Sequence, residues 1–291
     1  HFFFALNEAY SAPNSSRPNV LFIAIDDLRP ELGCYGNKDI HSPNLDKLAK
    51  QGRCFLRAYC QEAICSPSRA SLLTGSRPDT IGVIENRAYF RDLNPQIVTL
   101  PQHFIAHGYN AVYSGKIFHG RMTDDQHSWN YEPNRTGLTR PTTVGGNALP
   151  ENQRIFAKNK ARMVAIYGES SSRGLIHGPA FEAAQVEDDG YVDGYNTRVA
   201  IQTLDELVQQ DKPWFLALGF SRPHLPFHAP KKYFDLYDPK EIQLTKFLEP
   251  PQDGASMGLH ASFELRTRHG IPKSGPINES LSRELLHAYY A

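Results

Sequence analysis

The segment at residues 65–75, CSPSRASLLTG, places a small nucleophilic side chain, a proline and an arginine at the start of a predicted helix. Pro67 is typical of the first helical turn, and Arg69 follows Cys65 by about one turn. Backbone N–H groups at a helix N-terminus and a nearby guanidinium both attract anions. The segment therefore predicts a site for a tetrahedral oxyanion.

A thiolate at Cys65 is one candidate nucleophile for this site. A helix N-terminus lowers the pKa of a cysteine and so favours its reactive form. However, cysteine-dependent phosphatases place their cysteine and arginine at the two ends of a longer phosphate loop, whereas Arg69 follows Cys65 within a single turn. The spacing makes a thiolate nucleophile the weaker interpretation.

Further polar residues follow predicted strands, where parallel sheets bind their ligands. Asp26 and Asp27 follow the first strand. Lys116 and His119 follow another, and His224 follows a third. Taken singly, each has an ordinary alternative: a turn or helix cap for the aspartates, a surface position for the lysine and a loop for the histidines. Their shared position at strand ends, together with the Cys65 segment, favours one site.

The elements that must position these residues alternate along the chain. We predict strands at 20–25, 54–59, 109–114 and 214–220, and helices at 43–51, 67–73, 99–107 and 195–210. The first strand is continuously apolar, as a strand buried on both faces would be. Residues from about 121 to 190 are predicted to form an irregular surface excursion. This alternation predicts an α/β fold with a mainly parallel central sheet flanked by helices.

Composition excludes several classes of protein. The chain has 291 residues, 31 basic and 31 acidic side chains, and 40% hydrophobic residues. Its mean hydropathy is −0.47, which is typical of a globular protein and not of a membrane or disordered one. We therefore expect no membrane span and no nucleic-acid partner, and a local cluster must bind any anion.

The motif Cys-x-Pro-x-Arg followed by Thr-Gly resembles the signature of the sulfatase family. Three further family elements occur in order along the chain: Asp26-Asp27, Gly115-Lys116 and Pro223-His224. The resemblance extends from about residue 18 to residue 291, and it implies an alkaline-phosphatase-like α/β fold. It also implies the hydrolysis of sulfate esters.

The resemblance implies a cofactor and a modification. Asp26, Asp27 and the modified residue 65 would hold a divalent cation, with Ca²⁺ favoured and Mg²⁺ an alternative. Cys65 would be converted to formylglycine by a formylglycine-generating enzyme. One hydroxyl of the hydrated aldehyde would attack sulfur, and the other would later expel sulfate.

The resemblance also implies roles for four other side chains. Arg69 would hold the formylglycine and balance charge, and Lys116 would bind the sulfate. His119 would orient the attacking hydroxyl or accept its proton. His224 is the expected general acid for the leaving alcohol, and it is favoured over His228 because it follows the strand directly.

Finer detail resembles the iduronate-2-sulfatase subfamily, including the Lys-x-x-His spacing of Lys116 and His119. This implies a sulfated uronic acid of a glycosaminoglycan or other polysaccharide as substrate, and an exported protein, whether periplasmic, secreted or lysosomal. Four arginines could provide a basic rim for such a polyanion: Arg29, Arg77, Arg87 and Arg91. The alternatives are a phosphate or phosphonate ester hydrolase of the same superfamily, and an inactive glycan-binding fragment.

The two ends of the chain lead to further expectations. Residues 1–17 are expected to be an N-terminal extension or the remnant of a signal peptide, and residues 18–291 the N-terminal part of a catalytic domain truncated at its C-terminus. No Asp-His-Gly segment, which the family uses for further metal ligands, occurs in the sequence. We therefore expect the 291-residue piece alone to be inactive. The oligomeric state is not predicted.

Two smaller interpretations complete the predictions. Asp193, which precedes Gly194 at the start of a predicted helix, is interpreted as a helix-capping residue. The other cysteines, Cys34, Cys54 and Cys60, are expected to be buried thiols, because free cysteine is among the most buried residue types.

Overall fold

A computed structural model describes residues 17–120, 125–172, 174–247, 249, 251–255 and 262–291. The expected N-terminal extension lies outside the described residues except for Arg17. The first residues of the predicted excursion, 121–124, also lie outside them.

In the described part of the chain, five strands form two parallel sheets. They are β1 (Val20–Ile25), β2 (Asn110–Gly115), β3 (Phe181–Ala184), β4 (Trp214–Phe220) and β5 (Phe227–Pro230). The central sheet has the order β1-β4-β2, and β3 pairs with β5 in a separate two-stranded sheet. All of these pairings are parallel. The predicted α/β fold with a mainly parallel sheet is confirmed.

The longer helices lie around these sheets. They are α1 (Pro43–Gln51), α2 (Cys65–Thr74), α5 (Leu100–Ala106), α6 (Pro150–Ser171), α7 (Val192–Leu207) and α10 (Glu279–Tyr290). Short helices of one turn are α3 (Pro78–Ile81), α4 (Phe90–Leu93), α8 (Lys231–Phe234) and α9 (Phe263–Arg266). None of the described helices combines the length and the apolar character needed to cross a membrane.

Helices cover both faces of the central sheet. On one face, Leu73 of α2 and Phe104 of α5 belong to the apolar cluster around Phe215 of β4. On the opposite face, Leu207 of α7 packs with Leu216 of β4. Alternate residues of β4 therefore point into two different cores, which explains why this strand is apolar throughout.

The first strand differs from its prediction in burial. Leu21 and Ile23 are 50% and 44% exposed, although a strand buried on both faces was expected. β1 lies at the edge of the described sheet, and α7 packs on β2 and β4. One face of β1 is therefore left open within the described part of the chain.

The strand predicted at residues 54–59 is wrong. The structure has no strand there, and Phe55, Leu56 and Tyr59 are all exposed. The apolar residues of this segment have no neighbouring strand with which to pair. The expectation of buried thiols also fails at Cys60, which is exposed, while Cys34 and Cys54 are only partly buried.

The predicted surface excursion at 121–190 is only partly irregular. It contains the long helix α6 and the strand β3. No side chain of α6 is fully buried, and its partly buried face mixes apolar with polar residues, so the apolar stripe by which sequence patterns reveal helices is weak.

The strand ends meet at one edge of the sheet, as predicted. Ile25 pairs in register with Phe220, and Gly115 with Gly219. The two glycines allow a very close approach, because a Cβ atom on Gly219 would lie only 2.0 Å from the carbonyl oxygen of Lys116. The residues that follow β1, β2 and β4 are thereby brought to a common point.

Candidate active site

The centre of this edge is the buried carboxylate of Asp26, the first residue after β1. Arg69 Nη2 donates to Asp26 Oδ1 at 2.9 Å, and Lys116 Nζ contacts the other oxygen, Oδ2. Burial alone would raise the pKa of Asp26, but the contacts with Lys116 and Arg69 more than offset it and hold the pKa below its usual range. Asp26 is therefore a charged carboxylate between two cations.

Arg69 lies on α2 and contacts two strand ends at once. Besides Asp26 after β1, its Nη1 donates to the carbonyl oxygens of Lys116 and Ile117 after β2, at 2.6 and 2.9 Å. The side chain is 8% exposed. Arg69 thus joins the helix that carries Cys65 to the ends of β1 and β2, the two strands that flank β4.

Cys65 is the first residue of α2, and its Sγ lies 3.8 Å from Asp26 Oδ2. The backbone N–H of Ser66 already donates to Asn86 Oδ1 at 3.1 Å, so one donor at this helix end is used internally. Burial raises the pKa of the Cys65 thiol, and the nearby Asp26 also raises it, although Lys116 acts in the opposite direction. The lowered pKa expected for a thiolate nucleophile is therefore wrong.

Asp27 and His224 face each other across the site. Asp27 has φ 59°, a left-handed conformation that turns the chain at the end of β1. Its Oδ2 lies 3.8 Å from His224 Nε2. The Nδ1 atom of His224 donates to the carbonyl oxygen of Leu225 at 2.7 Å, which leaves Nε2 directed into the site.

Three side chains converge closely enough to hold a metal ion. Ligand atoms of Asp26, Cys65 and His224 lie within 4.8 Å of one another. Asp27 lies outside this group; it is exposed on one side, but partial desolvation and repulsion from Asp26 and Glu264 raise its pKa, against the opposing effect of His224. The charged carboxylate of Asp26 fits a hard divalent cation, which prefers oxygen ligands.

His119 belongs to the same electrostatic environment. Burial lowers its pKa, and the cations Lys116 and Arg69 lower it further. Its Nδ1 atom is buried and has no hydrogen-bond partner among the described residues. His119 is therefore held in its neutral form beside the cluster. His228, the alternative to His224, is buried on β5, away from solvent, and burial lowers its pKa to about 3.

Two further residues, Glu264 and Tyr289, contact the site, although no sequence motif indicates them. Glu264 of α9 places Oε1 at 3.6 Å from His224 Nε2 and at 3.5 Å from Arg268 Nη2. The hydroxyl of Tyr289 on α10 donates to the Asp27 carbonyl at 2.7 Å and accepts the Arg29 N–H at 2.9 Å. Both contacts join segments that are far apart in sequence, so a local sequence pattern does not predict them.

Two other interpretations are corrected. Asp193 does not cap its helix: Tyr191 holds the N-cap position of α7. The Asp193 carboxylate instead accepts backbone N–H groups from the loop after β4. Arg91 does not belong to an exposed basic rim, because its guanidinium is 10% exposed and pairs with the buried Asp125.

The fold and the clustered strand-end residues define an α/β protein whose candidate site lies at the carboxyl edge of a parallel sheet. The solved phosphonate monoester hydrolase of Silicibacter pomeroyi matches this structure with a TM-score of 0.59 at 20% identity, over 94% of this chain and 56% of that one. At this level of identity, the likeness concerns the fold.

This chain belongs to the sulfatase family, whose model matches residues 18–257. Iduronate 2-sulfatase of Homo sapiens is 32% identical over 284 residues, which cover 94% of this chain and 48% of that protein. A sulfatase of Formosa agariphila is 33% identical over 238 residues, covering 78% of this chain and 43% of that protein. The chain thus spans about half the length of these curated relatives. The family resemblance inferred from the motifs is confirmed.

Proposed function

We propose that this chain carries the nucleophile of a formylglycine-dependent sulfatase that hydrolyses a sulfate ester on a sulfated uronic acid of a glycosaminoglycan or other polysaccharide. The observation that carries this proposal is the convergence of Cys65, Asp26 and Lys116 at one edge of the sheet. That arrangement places the position of a nucleophile beside the ammonium group of Lys116, which can bind an anionic ester.

The environment of Cys65 supports its conversion to formylglycine. A partly buried thiol whose pKa is raised remains protonated at neutral pH and is a poor nucleophile. Hydrated formylglycine would supply one hydroxyl to attack sulfur and a second to expel sulfate. The modifying partner would be a formylglycine-generating enzyme, and the protein would be exported to the periplasm, the lysosome or the medium.

A divalent cation would complete the site. Asp26, Asp27 and residue 65 would hold it, with Ca²⁺ favoured by the oxygen ligands and Mg²⁺ as the alternative. When bound, it would stabilise negative charge that develops on the sulfate oxygens.

The remaining side chains have separate roles. Lys116 would bind a sulfate oxygen, and Arg69 would keep Asp26 charged and the helix of residue 65 in place. Neutral His119 would accept the proton of the attacking hydroxyl. His224, with Nδ1 committed to Leu225, would donate a proton from Nε2 to the leaving oxygen.

The uronic acid substrate is supported by the likeness to iduronate 2-sulfatase. The exposed guanidiniums of Arg29 and Arg77, each more than half accessible, also favour a polyanion.

A mass measurement and a substrate comparison test the proposal. In full-length protein from its native host, the peptide that spans Cys65 should show the mass loss of a thiol converted to an aldehyde. The protein should hydrolyse p-nitrophenyl sulfate faster than p-nitrophenyl phosphate. Cys65→Ala should lower sulfate turnover by roughly a thousandfold or more, whereas Cys60→Ala, at an exposed thiol nearby, should leave it unchanged.

Two results would overturn the proposal. An unmodified thiol at residue 65 without sulfate turnover would favour a glycan-binding protein. Faster turnover of the phosphate than of the sulfate would favour a phosphate ester hydrolase.

A further inference from the structure

The loop that follows β4 carries His224 and is held from outside the site by Asp193 of α7. Asp193 Oδ2 accepts two consecutive backbone N–H groups, from Ser221 at 2.8 Å and from Arg222 at 2.7 Å. Hydrogen bonds from backbone N–H groups to a carboxylate are charge-assisted and stronger than neutral ones. The start of the loop is therefore fixed relative to α7.

The other side of the same loop is held by Arg222. Its Nη1 donates to the carbonyl oxygens of His224 and Pro226. The loop thus has its N–H groups bound by the Asp193 carboxylate and its carbonyl groups bound by the Arg222 guanidinium. His224 lies between these two attachments.

The burial of Asp193 indicates that its carboxylate has a specific use. The residue is 8% exposed, and its Oδ1 is buried without a hydrogen-bond partner among the described residues. A buried charge with an unsatisfied oxygen is costly. The helix does not use this carboxylate as a cap, since the N-cap position belongs to Tyr191. The described hydrogen bonds of the Asp193 carboxylate all go to the loop that carries His224.

We propose that Asp193 is a positioning residue for His224. By fixing the backbone of Ser221 and Arg222, it holds the His224 imidazole where Nε2 can meet the leaving-group oxygen. Asp193 itself contacts neither substrate nor cation. This inference rests on the proposed function, in which His224 is the general acid.

The proposal predicts a loss that depends on the leaving group. The leaving hydroxyl group of a sugar would depart as a strongly basic alkoxide, so it needs a proton in the transition state. The p-nitrophenolate ion is a weak base and leaves readily without one. A misplaced general acid therefore slows only the first reaction. General acid catalysis contributes roughly a hundredfold or more, so a poorly held His224 should cost about ten- to a hundredfold.

The test compares the two substrates in the full-length protein. In Asp193→Ala, kcat for a sulfated uronic acid disaccharide should fall by about ten- to a hundredfold with KM little changed, while kcat for p-nitrophenyl sulfate should stay within about threefold. Asp193→Asn retains an oxygen that can accept both N–H groups and should recover much of the loss. Asp205→Asn, at an exposed carboxylate on the same helix, is the matched control and should match the unaltered protein.

The outcomes separate this inference from the proposed function. Equal losses on both substrates in folded Asp193→Ala, or no loss on either, would overturn the positioning role alone. If Asp193→Ala does not fold, as judged by circular dichroism, then Asp193→Asn decides, and its loss must be larger on the sugar sulfate. Absence of sulfate turnover in the unaltered protein would overturn the proposed function and this inference with it.

Discussion

The guanidinium of Arg69 shows how one residue can be both structural and chemical. It bonds Asp26 after β1 and the carbonyl groups of Lys116 and Ile117 after β2. Sequence alone predicted that Arg69 would face an oxyanion. The structure adds that Nη1 and Nη2 already donate within the protein, so its charge also acts on the site by keeping Asp26 ionised.

We predict that Arg69→Met destabilises the protein strongly. Methionine keeps much of the side-chain volume, but Asp26 loses one of its two cations and two carbonyl groups lose their donor. Removing one partner of a buried ion pair typically costs about 3–5 kcal/mol in the free energy of unfolding, which denaturant titration would measure. The matched control is Arg77→Met, whose exposed pair with Asp79 should contribute less than about 1 kcal/mol. Similar small losses in both variants would contradict the prediction.

Among the elements, the strands with continuous apolar runs were the most predictable. The observed bounds of β1 and β4 coincide with the predicted ones, because a continuous apolar run has few alternatives in a sheet. The prediction of a strand at 54–59 failed because the apolar residues there lack a neighbouring strand, and a local pattern does not show whether such a neighbour exists. Helix α6 escaped prediction because it buries no side chain fully.

The candidate site was predictable where its residues lie in contiguous motifs, as Cys65 and Arg69 do. The contacts of Glu264 with His224, and of Asp193 with the loop after β4, were not predictable. They depend on how α9 and α7 pack against the sheet edge, and a carboxylate on a helix carries no local sign of its distant partner.

The segment Gln126–Ser128 is anchored by a buried charge cluster around Asp125. This fully buried carboxylate accepts hydrogen bonds from Arg91 Nε at 2.7 Å, from the Tyr89 hydroxyl at 3.0 Å and from the Ser128 hydroxyl. Burial would raise the pKa of Asp125, but the bonds from Arg91 and Ser128 offset it and hold the pKa below its usual value of 3.8.

The lowered pKa of Asp125 predicts a pH-dependent contribution to stability. Because the folded pKa lies below the unfolded one, the contribution is complete above about pH 4 and is lost as pH falls through the folded pKa. Asp125→Asn should lower the free energy of unfolding by about 3 kcal/mol at pH 7, and this difference should shrink below about pH 4. Denaturant titrations at several pH values would measure it, with the exposed Asp79→Asn as control. A deficit that stays constant down to pH 2 would contradict the assignment.

At the scale of the whole molecule, net charge says little about what the site binds. The 31 basic and 31 acidic residues balance, yet Asp26 and Asp27 converge with Cys65 and His224 at one sheet edge. These residues come from β1, α2 and the loop after β4. A cation held by Asp26, Asp27 and residue 65 would join the end of β1 to the start of α2, and its binding to the folded state would add to stability.

We therefore predict that Ca²⁺ raises the melting temperature of the full-length protein and that EDTA reverses the shift. A ligand at a hundred times its Kd adds about 2.7 kcal/mol to the stability of the state that binds it. Asp27→Asn should abolish the shift while leaving the fold intact, because Asp27 is exposed and lies outside the Arg69 and Lys116 contacts. Asp188→Asn, at an exposed carboxylate paired with Lys232, should retain the shift. Equal calcium shifts in the two variants would mean that the cation binds elsewhere.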